Sequence, residues 1–430
     1  MGTAKTRIRH GDEVALTRQA VGLFHACMRR QTTIRHLTGD MPKITDAISG
    51  IKRQSSEYMP IVRKDDFTKG RGDEVEFQFI QPGGGYPIMG SEYAEGRGSG
   101  MSMVTDRLRV NQARFPLDLG DKMSEIRSPH DYRRLGRPEL QMKMDDYIDQ
   151  SIMVHLAGAR GFHDNFIEWR VPLESHHNFK KIIVNPLKAP TKNRHLVAGA
   201  GAVASPKSNA GELEIATTDV LSMEVVESVA KWVTEVPLPP PKVIINDDKA
   251  AKDSPLRVML VSPAQYHIFS QQRDFMKFQA AAYTRARIAK EHPLFLGDVG
   301  LWKGILIKMM PLPIRFYAGN VIKYSPAFDS EAEEEVRVPE SFGDSFAVDR
   351  AILLGGQALG LGMGGSAQTG IPFFWSEETR DHGDKTELLV GAITGAKKIR
   401  FEVDFGTSRR FIDHGVAVLD TAVPINKDIG

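Results

Sequence analysis

The residues with the clearest chemical potential form a glycine-rich motif late in the chain. Gly360-x-Gly362-x-x-Gly365 matches the dinucleotide-binding fingerprint, whose glycines let a pyrophosphate approach a helix N-terminus. That chemistry needs a strand before the motif and a helix after it. Here residues 351–359 are rich in alanine, leucine and glycine, and Pro372 with two aromatic residues follows. We therefore interpret these glycines as serving close helix packing or a flexible turn, and keep a nucleotide-binding oxidoreductase as the alternative.

Other reactive residues also lack partners at a useful spacing. His176 and His177 are adjacent, so we expect their rings to point apart, unlike a zinc-binding pair at helical spacing. Residues 381–384 (Asp-His-Gly-Asp) lack the further oxygen ligands of a calcium loop and predict a turn. Cys27, the single cysteine, excludes an internal disulfide framework and is more typical of a small core residue than of a nucleophile. We predict no catalytic residue, no cofactor and no metal site, and hence no enzyme.

Composition narrows the class further. The chain has 430 residues, 41% of them hydrophobic, which is enough to build a core. Its mean hydropathy is −0.28, and no apolar run approaches the roughly 18 residues that cross a bilayer. The polar, basic start of the chain (residues 1–11) does not resemble a signal peptide. We therefore expect a protein of a reducing cytoplasm with no membrane partner.

Charge is nearly balanced overall but unevenly distributed. The 56 basic and 54 acidic residues give a net charge of +2, whereas a dedicated nucleic-acid binder is usually far more basic. Seven basic residues precede His36, and Asp329 opens an acidic cluster that ends at Glu335. Both segments are typical of solvated surface. The alternative for the basic arm is a contact with DNA or with a neighbouring subunit, through Arg7, Arg9, Arg29 and Arg30.

The most unusual element is a hairpin with a long loop. Residues 74–79 alternate between polar and apolar side chains, as a half-buried strand does, and strand character returns over residues 103–110. Seven glycines lie between them in residues 81–100, a density that favours a long, deformable loop. Loops of this length in a compact protein are usually functional or disordered. A helix is predicted before the hairpin, over residues 15–37.

The strongest helical pattern covers residues 137–156. Its apolar side chains recur every four residues, Pro138 suits the first turn, and Gly158 suits the end. So narrow a stripe needs another surface to cover it. The members of the stripe are Leu140, Met144, Ile148, Ile152 and Leu156.

The remaining elements mix helices and strands without regular alternation, which predicts the α+β class. Ser262, Pro263 and Gln265 form a capping box that begins a helix. Thr218 is the predicted cap of a helix ending at Val233. The other predicted elements are a proline-rich connector at 237–241, strands at 257–261, 304–309 and 399–403, and a small-residue helix at 350–361.

Five passages, in order along the chain, resemble the major capsid proteins of tailed bacteriophages, specifically the podophage-type family with the Hong Kong 97 fold. They run from about residue 10 to residue 423, and residues 162–252 depart from the family pattern. The passages are Gly72-Asp73-Glu74-Val75 with the following glycine loop, Gly90-Ser91-Glu92 and Glu95-Gly96; residues 128–158; His292-Pro293-Leu294-Phe295 and residues 297–307; residues 351–358; and residues 393–406 with Asp420-Thr421-Ala422.

The resemblance implies a shell subunit that assembles into pentamers and hexamers around packaged double-stranded DNA. Its expected location is the virion capsid, assembled in the host cytoplasm, with scaffold, portal and decoration proteins as possible further partners. Another virion structural protein is the second alternative. The implied regions are an N-terminal arm and helix (1–71), an extended loop hairpin (72–117), a peripheral domain with a spine helix (118–212), an axial domain (213–374) and C-terminal strands that return to the main body (375–430). The loop residues expected between subunits are Gly83, Gly84, Gly85, Gly90, Glu92 and Glu95.

Overall fold

The computed structural model describes residues 33–39, 58–64, 74–80, 87–89, 95, 103–123, 132–164, 167–244, 256–272, 274–288, 293–295, 299–310, 312–364, 372–404 and 408–425. Helices and sheets are mixed in them, which confirms the α+β class. The helices are α1 (Thr33–His36), α2 (Tyr132–Ala157), α3 (Phe179–Ile182), α4 (Met223–Glu235), α5 (Pro263–Ser270) and α6 (Phe275–Ile288). The strands are β1 (Ile61–Lys64), β2 (Glu74–Ile80), β3 (Met103–Arg109), β4 (Asn111–Asp121), β5 (His195–Gly199), β6 (Ala202–Ala204), β7 (Ser208–Asn209), β8 (Glu212–Leu213), β9 (Arg257–Val261), β10 (Val299–Trp302), β11 (Ile305–Met309), β12 (Arg315–Tyr317), β13 (Val321–Tyr324), β14 (Glu334–Arg337), β15 (Phe346–Leu354), β16 (Leu359–Met363), β17 (Phe373–Arg380), β18 (Lys385–Lys398), β19 (Arg400–Asp404), β20 (Arg409–Asp413) and β21 (Val416–Pro424).

Helix α2 is the long helix that the four-residue repeat predicts. All five apolar residues of its stripe are buried, and the helix packs against β18 and β4. It begins at Tyr132, so Pro138 lies inside the helix and not in its first turn, which corrects the prediction. The helix ends as predicted: Gly158 has φ +67°, and its N–H donates to the carbonyl of Val154 at 3.0 Å.

Two sheets carry most of the core. One has the order β1-β16-β18-β17, and β4 also pairs with β18. The second has the order β10-β11-β9-β15-β21-β5-β6, with β12 paired to β15. Helices α4, α5 and α6 contribute to the hydrophobic cluster on one face of this second sheet. Both faces of its central strands are covered, since Ala351 and Leu353 pack in one cluster and Ile352 and Leu354 in the other.

The helix predicted over residues 350–361 is wrong. These residues form the end of β15, a turn and the start of β16. A strand buried on both faces has no polar alternation, so its sequence resembles that of a buried helix. The glycine motif accordingly does not serve helix packing: Gly360 and Gly362 lie within β16, opposite Lys397 and Gly395 of β18. Its third glycine, Gly365, falls outside the described residues.

The other predicted elements are largely confirmed. The capping box of Ser262 and Gln265 begins α5, and the three predicted later strands correspond to β9, β11 and β19. Helix α4 begins later than predicted, because Ser222 and not Thr218 caps it by accepting a hydrogen bond from the backbone N–H of Val225. Of the helix predicted over residues 15–37, only α1 falls within the described residues.

Candidate functional site

The predicted hairpin is present as an antiparallel pair of seven-residue strands. Strands β2 and β3 pair in continuous register from Glu74 opposite Arg109 to Ile80 opposite Met103. Two cross-strand ion pairs lie on one face: Arg109 binds Glu74, and Arg107 Nε lies 3.1 Å from Glu76. Cross-strand pairs of opposite charge stabilise one register over its neighbours.

The loop between these strands carries the residues that the sequence predicts between subunits. Of them, Glu95 is described and exposed to solvent. The structure does not describe the remaining predicted loop residues, which are Gly83, Gly84, Gly85, Gly90 and Glu92.

The base of the hairpin is fixed to the body by backbone hydrogen bonds. The backbone N–H of Arg109 donates to Asn185 Oδ1, and Asn185 Nδ2 donates to the carbonyls of Arg109 and Ala396, each at 2.9 Å. A Cβ at Gly395 would lie 2.0 Å from the carbonyl oxygen of Arg109, closer than any side chain allows. The hairpin base therefore sits directly on β18, and only glycine fits at this crossing.

Side chains continue the attachment along β3. Lys397 binds Asp106 and donates to the carbonyl of Arg107 at 2.8 Å, and the backbone N–H of Arg400 donates to Asp106 at 3.2 Å. Leu108 is fully buried in a small apolar cluster with residues of β19 and β20, among them Phe401. The position of the hairpin is thus set by the strands β18 to β20.

Behind the hairpin base lies a buried ionic network centred on Asp413. Arg400 Nε lies 2.7 Å and Lys398 Nζ lies 3.0 Å from its carboxylate, and all three side chains are almost fully buried. Burial acts to raise the pKa of Asp413, but Arg400 and Lys398 outweigh burial and hold it at about 2. Burial lowers the pKa of Lys398 to about 8 against the opposing effect of Asp413. The network joins the three consecutive strands β18, β19 and β20 through charges that depend on one another.

Most of the acidic cluster at residues 329–335 is exposed, as predicted, but two of its members contact the body beside this network. Glu331 is half-buried, binds Lys188, and lies 3.2 Å from Arg400 Nη1. Glu333 accepts a hydrogen bond from the backbone N–H of Ala189 at 2.7 Å. The cluster approaches residues 188, 189 and 400, which are distant in sequence, so charge pattern alone could not reveal the contact.

A polar cleft of about 260 Å³ opens beside the network, between the hairpin base and the body. Four cationic side chains line it, and each already binds a carboxylate of this chain. The positive charges that line the cleft are therefore already paired with carboxylates and need no ligand. The four cations are Lys188, Lys397, Lys398 and Arg400.

A second buried network contains an arrangement that resembles catalytic machinery. His195 Nε2 lies 2.7 Å from Asp420, as in a general base oriented by a carboxylate. Both side chains are fully buried, and Arg350 binds the same carboxylate at 2.7 and 2.8 Å. Among the described residues no hydroxyl or thiol donates to His195. Arg350 also donates to the carbonyl of Ala157, so this network ties the end of α2 to the second sheet.

Burial also sets the electrostatics of this second network. It lowers the pKa of His195, while Asp420 acts in the opposite direction. Burial would raise the pKa of Asp420, but Arg350 and His195 hold it well below its usual range. The carboxylate therefore remains charged and paired at neutral pH, a structural role in place of a catalytic one.

The remaining candidate residues give no reactive site. The rings of His176 and His177 lie side by side with centroids 4.3 Å apart and planes tilted by 33°, so the expectation that they point apart is wrong. Both side chains are exposed in a turn before α3. Residues 381–384 form the turn between β17 and β18, as predicted. In the described ranges no group of three or more histidine, cysteine or acidic side chains could hold a metal. The described ranges do not include Cys27 or the four arginines of the predicted basic arm, Arg7, Arg9, Arg29 and Arg30.

Across the residues that the structure describes, none of the helices combines the length and apolar character that crossing a bilayer requires.

Comparison with known proteins gives a consistent result. A family model described as phage capsid protein matches residues 7–425. The fold is similar to the capsid of Ralstonia phage GP4, with a TM-score of 0.66 and 24% identity over 87% of this chain and 90% of that chain. It is also similar to the cyanophage Pam1 capsid asymmetric unit, with a TM-score of 0.58 and 13% identity over 92% and 93%, and to the head structure of Helicobacter pylori bacteriophage KHP40, with a TM-score of 0.53 and 11% identity over 90% and 89%. A search of curated proteins found no match.

Proposed function

We propose that this chain builds an icosahedral head from pentamers and hexamers around packaged double-stranded DNA. The chain belongs to the phage capsid protein family. It is a major capsid protein of the icosahedral head with a Hong Kong 97-type fold. The observation that carries the proposal is the family match over residues 7–425, which includes the hairpin and both sheets. A shell requires large complementary surfaces repeated by symmetry, and permanent interfaces bury on the order of 2,000 Å² or more.

The β2–β3 hairpin supports this role because its two ends have different properties. Its base is held by Asn185 and by the Lys397–Asp106 pair, while the loop of residues 81–102 lies at the far end of the strands. Ordering a loop residue costs about 1–2 kcal/mol, which docking on a neighbouring subunit would offset. We assign the intersubunit contact to the loop glycines and to Glu92 and Glu95.

The division of the chain follows the same proposal. The N-terminal arm and helix are residues 1–71, the extended loop hairpin 72–117, the peripheral domain 118–212, the axial domain 213–374 and the returning strands 375–430. Helix α2 is the spine of the peripheral domain. The buried networks around Asp413 and Asp420 keep the body rigid while the hairpin docks.

Partners beyond the chain itself follow from the proposed shell. Packaged DNA would meet the basic arm through weak, sequence-independent contacts of Arg7, Arg9, Arg29 and Arg30. A scaffold, a portal and a decoration protein are further candidate partners, and assembly would take place in the host cytoplasm.

The enzyme alternative has little structural support. Gly360 and Gly362 lie inside β16, paired to β18 on one side and to β1 on the other, so neither glycine begins a helix that a pyrophosphate could meet. We propose that the chain has no enzymatic activity. The family match over residues 7–425 does not favour the other alternative, a ring or decoration protein of the virion.

Sedimentation of the purified full-length chain tests the proposal. We expect megadalton particles. A small soluble species that binds a dinucleotide would support the oxidoreductase and contradict the proposal, and a small ring seen by electron microscopy would support another virion component.

A further inference from the structure

A second groove, separate from the polar cleft, lies beside the base of the hairpin. It has a volume of about 270 Å³ and runs between β4 and the segment that follows α3. Strand β4 is an edge strand that pairs with β18 on one side. The lining residues are Asn111, Gln112, Ala113, Arg114, Phe115, Tyr147, Arg170, Lys181, Ile182 and Val184.

The groove carries uncompensated positive charge. Arg114, Arg170 and Lys181 line it, and none of the lining residues is acidic. Within the described part of the chain, none of these three cations forms an ion pair. Arg170 Nε is buried and has no hydrogen-bond partner in the structure. A buried cationic donor without a partner costs free energy, so the geometry points to an anionic group that occupies the groove in the assembled state.

The floor of the groove is apolar and rigid. Phe115 and Tyr147 meet edge to face with ring centroids 6.0 Å apart, and the Tyr147 hydroxyl donates to the carbonyl of Ile182 at 3.0 Å. A ligand that matches the whole groove therefore combines carboxylates with an aromatic or apolar side chain. A bare phosphate backbone would satisfy the cations but leave the floor uncovered.

The chain itself contains such a segment. We propose that the groove receives Glu92-Tyr93-Ala94-Glu95 from the hairpin loop of a second copy, with its two carboxylates facing Arg114, Arg170 and Lys181. This inference rests on the proposed function and names the receptor for the loop. Glu95 is exposed and so remains available for such a contact.

The direction of the hairpin favours a second copy over the same chain. Strand β3 ends at Arg109 beside the groove, whereas the loop leaves from Ile80 and Met103, six residues away along the strands. At about 3.3 Å per residue, the strand ends from which the loop departs lie roughly 20 Å from Arg109 and the groove beside it.

Disulfide trapping in assembled particles tests the contact. In a Cys27→Ser background, Lys181→Cys is combined with Glu92→Cys or with Glu95→Cys, and particles are oxidised and run on a denaturing gel. We expect at least one pair to give intersubunit multimers. The matched control places the second cysteine at Lys231, which is exposed on α4 and does not line the groove. Absence of multimers from both pairs, a disulfide confined to one chain, or equal trapping by the control overturns the inference.

A charge swap gives an independent readout. Arg114→Glu with Lys181→Glu should lower particle yield on the order of tenfold or more, because like charges would then face each other, while the thermal unfolding of the free subunit stays unchanged. Adding Glu92→Lys and Glu95→Lys to the same chain should restore particles. Normal assembly of the groove variant, or loss of DNA from otherwise normal shells, overturns the inference. Failure of the unaltered chain to form shells would instead contradict the proposed function.

Discussion

Asp413 shows how single residues hold this fold together. Its carboxylate binds Lys398 and Arg400 in a site that excludes water almost completely. Removing one member of a buried ion pair leaves the other charge without compensation, which usually costs about 3–5 kcal/mol. An exposed pair in the same region, Arg409 with Glu402, is screened by solvent and contributes little.

Replacing Asp413 should therefore destabilise the subunit strongly. We expect Asp413→Asn to lower the free energy of unfolding by about 3–5 kcal/mol, measured by denaturant titration of the free subunit. Glu402→Gln is the matched control and should change stability by about 1 kcal/mol or less. Equal effects of the two substitutions would mean that the buried network does not stabilise the fold.

His155 should make the subunit sensitive to acid. Burial, with help from Lys398 and Lys397, lowers the pKa of His155 to about 3, below its usual 6.5. The folded state therefore resists protonation that the unfolded state accepts, so stability is fully present above about pH 6.5 and falls as pH drops toward 3.

The slope of that loss is at most about 1.4 kcal/mol per pH unit for one histidine. Denaturant unfolding of the wild type and of His155→Gln between pH 7 and pH 4.5 measures it, and we expect the variant to lose less stability on acidification. Parallel stability curves would exclude His155 as the titrating group. His414 should add to the wild-type slope, since burial and then Arg194 lower its pKa to about 4.

Among the elements, the hairpin has the clearest link to assembly. Its register is fixed by two ion pairs, its base is seated on Gly395, and its loop begins where the strands leave the body. The fixed base and the long loop together predict that the loop contributes to assembly and not to folding of the subunit.

Deleting residues 81–100 should separate these two roles. The strand ends Ile80 and Met103 pair directly, so Met101→Asn with Ser102→Gly would close the shortened hairpin with a two-residue turn. We expect soluble, folded subunits that do not form shells, judged by circular dichroism and sedimentation. Normal particles from the deletion would exclude an assembly role for the loop.

Burial on one face made the type of an element easier to predict from the sequence than burial on both faces. The stripe of α2 could be predicted because its apolar residues face the core while other faces of the helix carry polar residues. Strand β15 was mistaken for a helix because both faces are apolar, and periodicity disappears when every residue is buried. The start of α2 was missed because Pro138 suits a first turn but is tolerated within this helix.

The ionic networks and the groove lay beyond sequence reasoning. Asp413 contacts Thr191, and Arg350 contacts Ala157, across separations of about two hundred residues. No spacing rule connects residues so distant. The acidic cluster gave a compositional signal at Glu331, but its cationic partners could be identified only in the folded chain.

At the scale of the whole molecule, near-neutral charge fits a shell subunit. A net charge of +2 over 430 residues leaves no strong attraction for nucleic acid outside the basic arm. DNA contact and shell contact should therefore depend on different parts of the chain.

Neutralising the arm tests that separation. Changing Arg7, Arg9, Arg29 and Arg30 to glutamine should reduce the DNA retained per particle more than the yield of empty shells, because each arginine neutralises a phosphate. The matched control neutralises four exposed cations elsewhere and should retain DNA normally. Equal DNA retention by both variants would show that the arm does not face DNA. The control positions are Lys231, Lys277, Arg380 and Arg409.

Electron microscopy of particles formed by the full-length chain tests the central claim most directly. If the chain is a major capsid protein that closes a shell from pentamers and hexamers, the images will show hollow particles with icosahedral symmetry. Soluble subunits alone, or open rings and tubes under all assembly conditions, would contradict it.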